Sequence, residues 1–466
     1  MTLRMRSAAA VSGIGLLLCA GAAEAAESSS AVQISVIWVV PFAGLLLSLA
    51  LFPLLAPKIW HLHYGKIVWA WALLFIFPYG WIHGSGRIAN ELWHTFLLEY
   101  LPFVLLLGAL FTVSGGLRLT GNLRAGPGVN TAVLLTGTIA ASFMGTTGAS
   151  LLLIRPLIGI NRMRRHKTHV FIFFIFLVAN VGGALTPLGD PPLFLGYLEG
   201  VPFFWPLQHL HWPTLFLAIC LLTIFYLIDS WHFRKTPHPA ETFEEIEKFG
   251  LLGKLNILWL AATIAVVLLR GSWRPEVEIM LFGVGIGPVE LAADFAMLLF
   301  AWLSFRLTPR AVHRANEFNW APMAEVGIIF GAIFVTIIPA LAIMRAGGGD
   351  LGRWLFVDGV PNDHAFFWAT GLLSSVLDNA PTYLVFFNLA GGDTPALIGP
   401  LAKTLAAISA GAVYFGALTY IGNAPNFMVR SLAESHGIQM PGFFGYIAWA
   451  GLILLPLLLV TSLIFF

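Results

Sequence analysis

Two stretches of this chain are nearly the same, and each interrupts strongly apolar sequence. Gly183-Ala-Leu-Thr-Pro-Leu-Gly-Asp-Pro-Pro192 returns as Gly416-Ala-Leu-Thr-Tyr-Ile-Gly-Asn-Ala-Pro425, with six of ten residues identical at an offset of 233. The same offset carries Ser142-Phe-Met-Gly-Thr-Thr-Gly-Ala149 onto Ser375-Val-Leu-Asp-Asn-Ala-Pro-Thr382. Backbone freed from helix at membrane depth is tolerated only where protein buries it or where it lines a cavity. Matching interruptions in two halves of a membrane chain point to a transporter's binding site.

The membrane assignment rests on composition. Hydrophobic residues make up 58% of the chain and charged residues 10%, against about 25% charged in a soluble domain. The 466 residues therefore read as one all-α polytopic bundle. A net charge of +2, with no basic tract, gives no sign of a nucleic-acid partner; the partners expected are membrane lipid and a small substrate. Arg4 and Arg6 precede an apolar run that ends at Ala23-Glu24-Ala25, the pattern of a signal peptide over residues 1–25. Its removal leaves Cys220 as the sole cysteine, so neither a disulfide nor redox chemistry is expected.

A membrane span needs about 20 apolar residues. Such runs are expected near 34–55, 67–82, 100–117, 213–229, 255–269, 289–305, 322–344 and 443–464. Basic residues favour the cytoplasmic side, and they flank 129–160 at both ends, through Arg124 and through Arg162, Arg164, Arg165 and Lys167. This segment, broken at Gly145–Gly148, reads as a re-entrant hairpin entering from the cytoplasm. A second hairpin, 364–390, enters from outside. Helices 168–185 and 400–416 run into the Thr186–Pro192 break and its copy. The resulting layout is two inverted-topology repeats, 34–230 and 255–466, joined by a cytoplasmic connector at 231–254. Ten spans, two hairpins and two broken helices make up the fold, with both mature ends outside the cytoplasm. Within the connector, Ala240–Phe249 has apolar residues near helical spacing, which suits a surface helix as well as a solvated linker. The pairs His61/His63 and His209/His211 are expected in loops at opposite faces, with no metal site and no cofactor.

The interruptions supply oxygen and amide groups. The hairpin tips carry Thr146, Thr147, Ser150, Asp378, Asn379 and Thr382; the broken helices carry Thr186, Asp190, Thr419 and Asn423. Ionisable residues inside membrane segments are costly and mark ion or proton pathways. Asp190 and Asp378 are the acids at the break points. A plainer role stands beside this one, because Asp190 precedes Pro191, the usual pair that opens a helix. Asn423 and Asn379 sit two residues before a proline and are open to the same reading. Half-helix N-termini favour an anion, whereas two carboxylates favour a cation. A full charge in a low-dielectric site outweighs a dipole end, so a cation is expected.

These residues resemble the ion transporter superfamily, which includes NhaD-type sodium/proton antiporters, arsenite exporters and citrate and dicarboxylate carriers. The likeness lies in Gly182-Gly183-Ala-Leu-Thr-Pro-Leu-Gly-Asp190 and in Asp378-Asn-Ala-Pro381. More narrowly, the chain is similar to a bacterial group labelled citrate transport or sodium:proton antiporter. The resemblance implies a non-enzymatic secondary transporter of the inner membrane, with elevator-like or rocking exchange between repeats and a homodimeric state. One departure is that Gly145 and Thr146 stand where the repeat aligns Asp378 and Asn379. Sodium/proton antiport centred on Asp378 is the leading expectation, with Asp190 as second carboxylate or partner. Cation-coupled citrate transport is the alternative, and an intramembrane hydrolase using Ser150 or Ser142 a remote one.

Overall fold

The computed structural model describes residues 35–121, 124–235, 250–273, 275–345 and 349–466. The signal-peptide segment and the 240–249 helix lie outside the described residues. Helix α1 (Val40–Leu55) follows a 3-10 turn and meets α2 (Pro57–His83) across Ala56 alone. Helix α3 (Ser85–Gly115) runs through a π turn at Phe96–Tyr100. Next come α4 (Pro127–Met144) and α5 (Thr146–Ile160), then α6 (Thr168–Leu177) with a 3-10 turn at Val181–Leu185, and α7 (Pro191–Leu198). The long α8 (Trp205–Lys235) precedes α9 (Leu255–Ser272), α10 (Pro288–Leu307), the short α11 (Arg310–Ala315) and α12 (Ala321–Arg345). The final set is α13 (Asp363–Ser374), α14 (Asn379–Leu389), α15 (Thr394–Ile398), α16 (Ala402–Phe415), α17 (Ala424–Ser435) and α18 (Phe443–Phe465). Among the described residues, three two-stranded antiparallel ladders link loops, one of them pairing Arg118–Thr120 with Gly250–Leu252.

Among the described residues, ten helices are long and apolar enough to cross a membrane. The chain is an all-α polytopic membrane protein. The number matches the expected ten spans, but one member differs. Pro127–Met144, a hairpin arm, is long enough, while Ala402–Leu418 is shorter. Some loops expected from the charge pattern are helical instead. Lys58 to Lys66 belong to α2, and α8 begins at Trp205 rather than near 213. His61, His63, His209 and His211 therefore sit on helices, not in loops. Inside α8 the rings of His209 and His211 bond to backbone carbonyls one turn back. The first helix break also starts earlier than expected, after Leu177 rather than at Thr186.

The two broken helices occupy the centre. Thr168–Leu185 is 89% buried within the protein, whereas the other nine candidate spans reach at most 56%. Helix α16 is buried almost throughout. An apolar side chain gains little by leaving lipid for protein, so hydrophobicity alone does not draw these helices inward. Their interrupted backbones do, because unpaired N–H and C=O groups cannot face lipid.

The two interruptions are built alike. Thr186 gives its hydroxyl to the Ser142 carbonyl, and Thr419 gives its own to the Ser375 carbonyl at 2.5 Å. Each threonine oxygen also accepts a backbone N–H two residues on, from Leu188 and from Ile421, both at 3.2 Å. All these partners are 233 positions apart in sequence. The copies also pack reciprocally: α14 lies against α7, and α5 lies against α17. This is the contact pattern of a two-fold exchange.

Candidate functional site

Four helices begin at one point. Asp190 and Asn423 occupy the N-cap positions of α7 and α17, both with extended backbone. Thr146 and Asn379 are the first residues of α5 and α14. The prolines explain the starts at α7 and α17: Pro191 and Pro425 lack an N–H and hold a helical φ.

Asp190 is the hub. Its side chain makes no capping bond to α7. Instead Oδ1 accepts from Thr146 Oγ1 and from Asn423 Nδ2, each at 3.1 Å, and Oδ2 accepts from Asn379 Nδ2 at 2.5 Å. All four residues are buried. Thr146 N–H also bonds to the Gly189 carbonyl at 2.8 Å, tying the first hairpin tip to the first break. The partners of Asp190 are neutral donors, and no Arg or Lys bonds to it among the described residues. Burial opposes a charge here, while three donors and four helix N-termini favour one. A carboxylate held between such opposing effects is suited to exchanging a proton for another cation.

The other expected residues take different places. Thr186 and Thr419 spend their hydroxyls on hairpin carbonyls, as above, and so pin the tips to the breaks. Thr382 gives its hydroxyl to the Asp378 carbonyl within α14 at 2.9 Å. Asp378 is partly buried, with its carboxylate beside the N–H groups of Asn379 and Ala380 and no regular capping bond. Ser150 is fully buried and its hydroxyl meets no partner among the described residues. Thr147 is half-buried and no side-chain bond from it is seen among the described residues. Asn379 Oδ1 is buried without a partner among the described residues, so one amide oxygen beside Asp190 is open to a ligand.

The missing acid of the first hairpin tip has a backbone reason. Gly145 adopts φ +78°, where a side chain is strained. Its counterpart Asp378 has φ −57°, which any residue adopts.

Two amides that support the hub were not expected from the sequence. Asn180 accepts from Asn423 at 3.2 Å and donates to the Ile175 carbonyl at 2.8 Å and to Asn426 Oδ1 at 2.7 Å. Asn426 in turn donates to the carbonyls of Gly416 and Thr419 at 2.7 and 2.9 Å. The signal was present: Asn180 is the one polar side chain between Phe171 and Gly183, and an amide in such a run needs a partner.

A family described as "Putative citrate transport" matches residues 31–466, nearly the whole chain. No curated protein matches it.

Proposed function

The chain belongs to that family, and from this premise we propose that it is a secondary active transporter coupling a cation to protons through Asp190. A proton and a small cation such as Na⁺ compete for this carboxylate, so binding one releases the other. Asn379 Oδ1 and the Thr146 hydroxyl supply neutral oxygens to the cation, and Asp378 is the second carboxylate at the rim of the site. The observation that carries this reading is the ring of neutral donors around one buried acid, with no lysine or arginine bonded to it among the described residues. Alternating access follows from motion of one copy against the other about the shared centre. We place the protein in the bacterial inner membrane with both mature ends outside the cytoplasm. Its homodimeric assembly is part of the same proposal.

A second reading is favoured by the family description, in which the cargo is citrate or a related carboxylate carried with the cation. Proton movement in everted vesicles, recorded on addition of Na⁺, Li⁺, K⁺ or citrate, tests both. Na⁺- or Li⁺-driven proton release from the vesicle lumen supports exchange. A response to citrate alone supports carboxylate transport, and no response to any of the four contradicts both.

A further inference from the structure

At the first hairpin and the end of α3 lies a second group of polar atoms that meet no partner among the described residues. Arg155, on α5, gives Nη2 to Glu317 Oε2 at 3.1 Å. Its Nε and Nη1 are closed off from solvent and meet no acceptor among the described residues. Glu317 is the outer member of the pair, with its side chain 65% exposed against 17% for Arg155. The Ser114 hydroxyl, at the end of α3, is also buried without a partner among the described residues. Buried donors are almost always bonded, and each exception calls for an explanation.

These groups share one locality. Gly148 and Arg155 are seven residues apart and so lie on one face of α5. That face looks onto Ser114, because the Cβ that Gly148 lacks would stand 2.4 Å from Ser114 Oγ. A long helical side chain leans back towards the start of its helix, which carries the Arg155 guanidinium towards Gly148 and Ser114. Phe318, next to Glu317, closes the far side: it packs on Gly115 and lies 5.3 Å from the Phe111 ring. Arg155 itself is about 10 Å along the helix from Gly148, so its position is set apart from the Asp190 hub, whereas Ser114 lies against Gly148, two residues from Thr146.

We propose that Arg155 and Ser114 form an anion site that receives one carboxylate group of a small organic acid. The inference rests on the transport reading above and adds a second, oppositely charged site to it. A guanidinium makes charge-assisted bonds to carboxylates, and two of its nitrogens are uncommitted. The ion pair with an exposed acid is weak, so an entering carboxylate can displace Glu317 towards solvent and take its place. Ser114 then donates its hydroxyl to the same group.

Citrate titrated calorimetrically into the purified full-length protein, in detergent with Na⁺ present, tests the site. Arg155→Gln should weaken citrate binding at least tenfold, a change of about 1.4 kcal/mol. Arg155→Lys should fall between the two, and Glu317→Gln should bind citrate as tightly as the parent or more so. An unchanged affinity in Arg155→Gln, or an equal loss in Glu317→Gln, overturns the proposal. Should Arg155→Gln fail to fold, Arg155→Lys decides: weaker citrate binding than the parent is expected, and an unchanged affinity overturns the proposal. If the unaltered protein binds no citrate or succinate yet moves protons in response to Na⁺, the anion site is refuted and cation exchange stands. If citrate binding depends on Arg155 and Na⁺ moves no protons, the anion site stands and cation/proton exchange falls.

Discussion

Asn423 donates to Asp190 Oδ1 at 3.1 Å across 233 positions of chain, and 233 is the repeat offset. The two residues are each other's counterparts, and counterparts touch only on the axis that exchanges the two copies. Thr146 and Asn379, also counterparts, bond to the two oxygens of the same carboxylate. The symmetry is broken in charge: one acid and three neutral groups fill two pairs of equivalent slots, 190/423 and 146/379. In the function proposed above, one buried acid on the axis serves one central site, rather than a pair of identical sites.

The breaks depend on close backbone approach. A Cβ on Gly189 would lie 2.2 Å from the Gly183 carbonyl oxygen, and one on Gly422 would lie 2.7 Å from that of Gly416. Backbone cannot move aside cheaply at either place. Gly189→Ala should therefore sharply reduce the yield of folded protein, read by monodisperse elution in detergent. Gly159→Ala, on the first hairpin with nothing near the added carbon, should be neutral or stabilise by up to about 1 kcal/mol. A normal elution profile for Gly189→Ala would count against the tight-turn account.

The base of the first hairpin is held by a buried ion pair. Asp229, on α8, meets Arg164 at 2.5 Å, His169 at 2.8 Å and Asn130 at 3.0 Å. Arg164→Ala would strand a fully buried carboxylate, a loss of about 3–5 kcal/mol, and should lower the thermal midpoint clearly. Lysine lacks the planar fork, so Arg164→Lys should recover part of the loss and not all of it. Equal midpoints for the parent and Arg164→Ala would show that the pair contributes nothing.

Much of this was legible in the sequence because the breaks repeat. Gly, Thr and Pro at fixed places dictate the same backbone twice, and the pairs Thr186/Thr419 and Gly189/Gly422 follow from that alone. The hub was less legible. Asp190 before Pro191 looks the same whether its side chain caps the helix or turns away to meet Asn379, and only the packing of α14 against α7 decides. The extra length of α2 and α8 was hidden for another reason. Lys, Arg and His at span ends mark the membrane boundary, yet they are good enough helix formers to continue a helix past it. Asp229 and Arg164 lie 65 residues apart, and nothing local announces their pairing.

The two hairpins should open to opposite sides. In a Cys220→Ser background, Met163→Cys at the exposed exit of α5 should react with an impermeant thiol reagent from the cytoplasmic side only. Asp393→Cys, at the exposed exit of α14, should react from outside only. Both sites are exposed in the structure, so labelling reports sidedness. Labelling of both from one side would remove the inverted arrangement.

The most direct test of the central claim is Na⁺-driven proton movement in everted vesicles carrying Asp190→Asn. Asparagine keeps the size of the side chain and matches the residue already in the counterpart slot, and no capping bond is lost, so the protein should insert and fold. Proton movement should be abolished, because the one group that proton and cation share can no longer titrate. Asp378→Asn, at the rim, should keep coupled movement and raise the half-saturating Na⁺ concentration about tenfold, on the order of 1.4 kcal/mol. Coupled movement retained in Asp190→Asn would contradict the account.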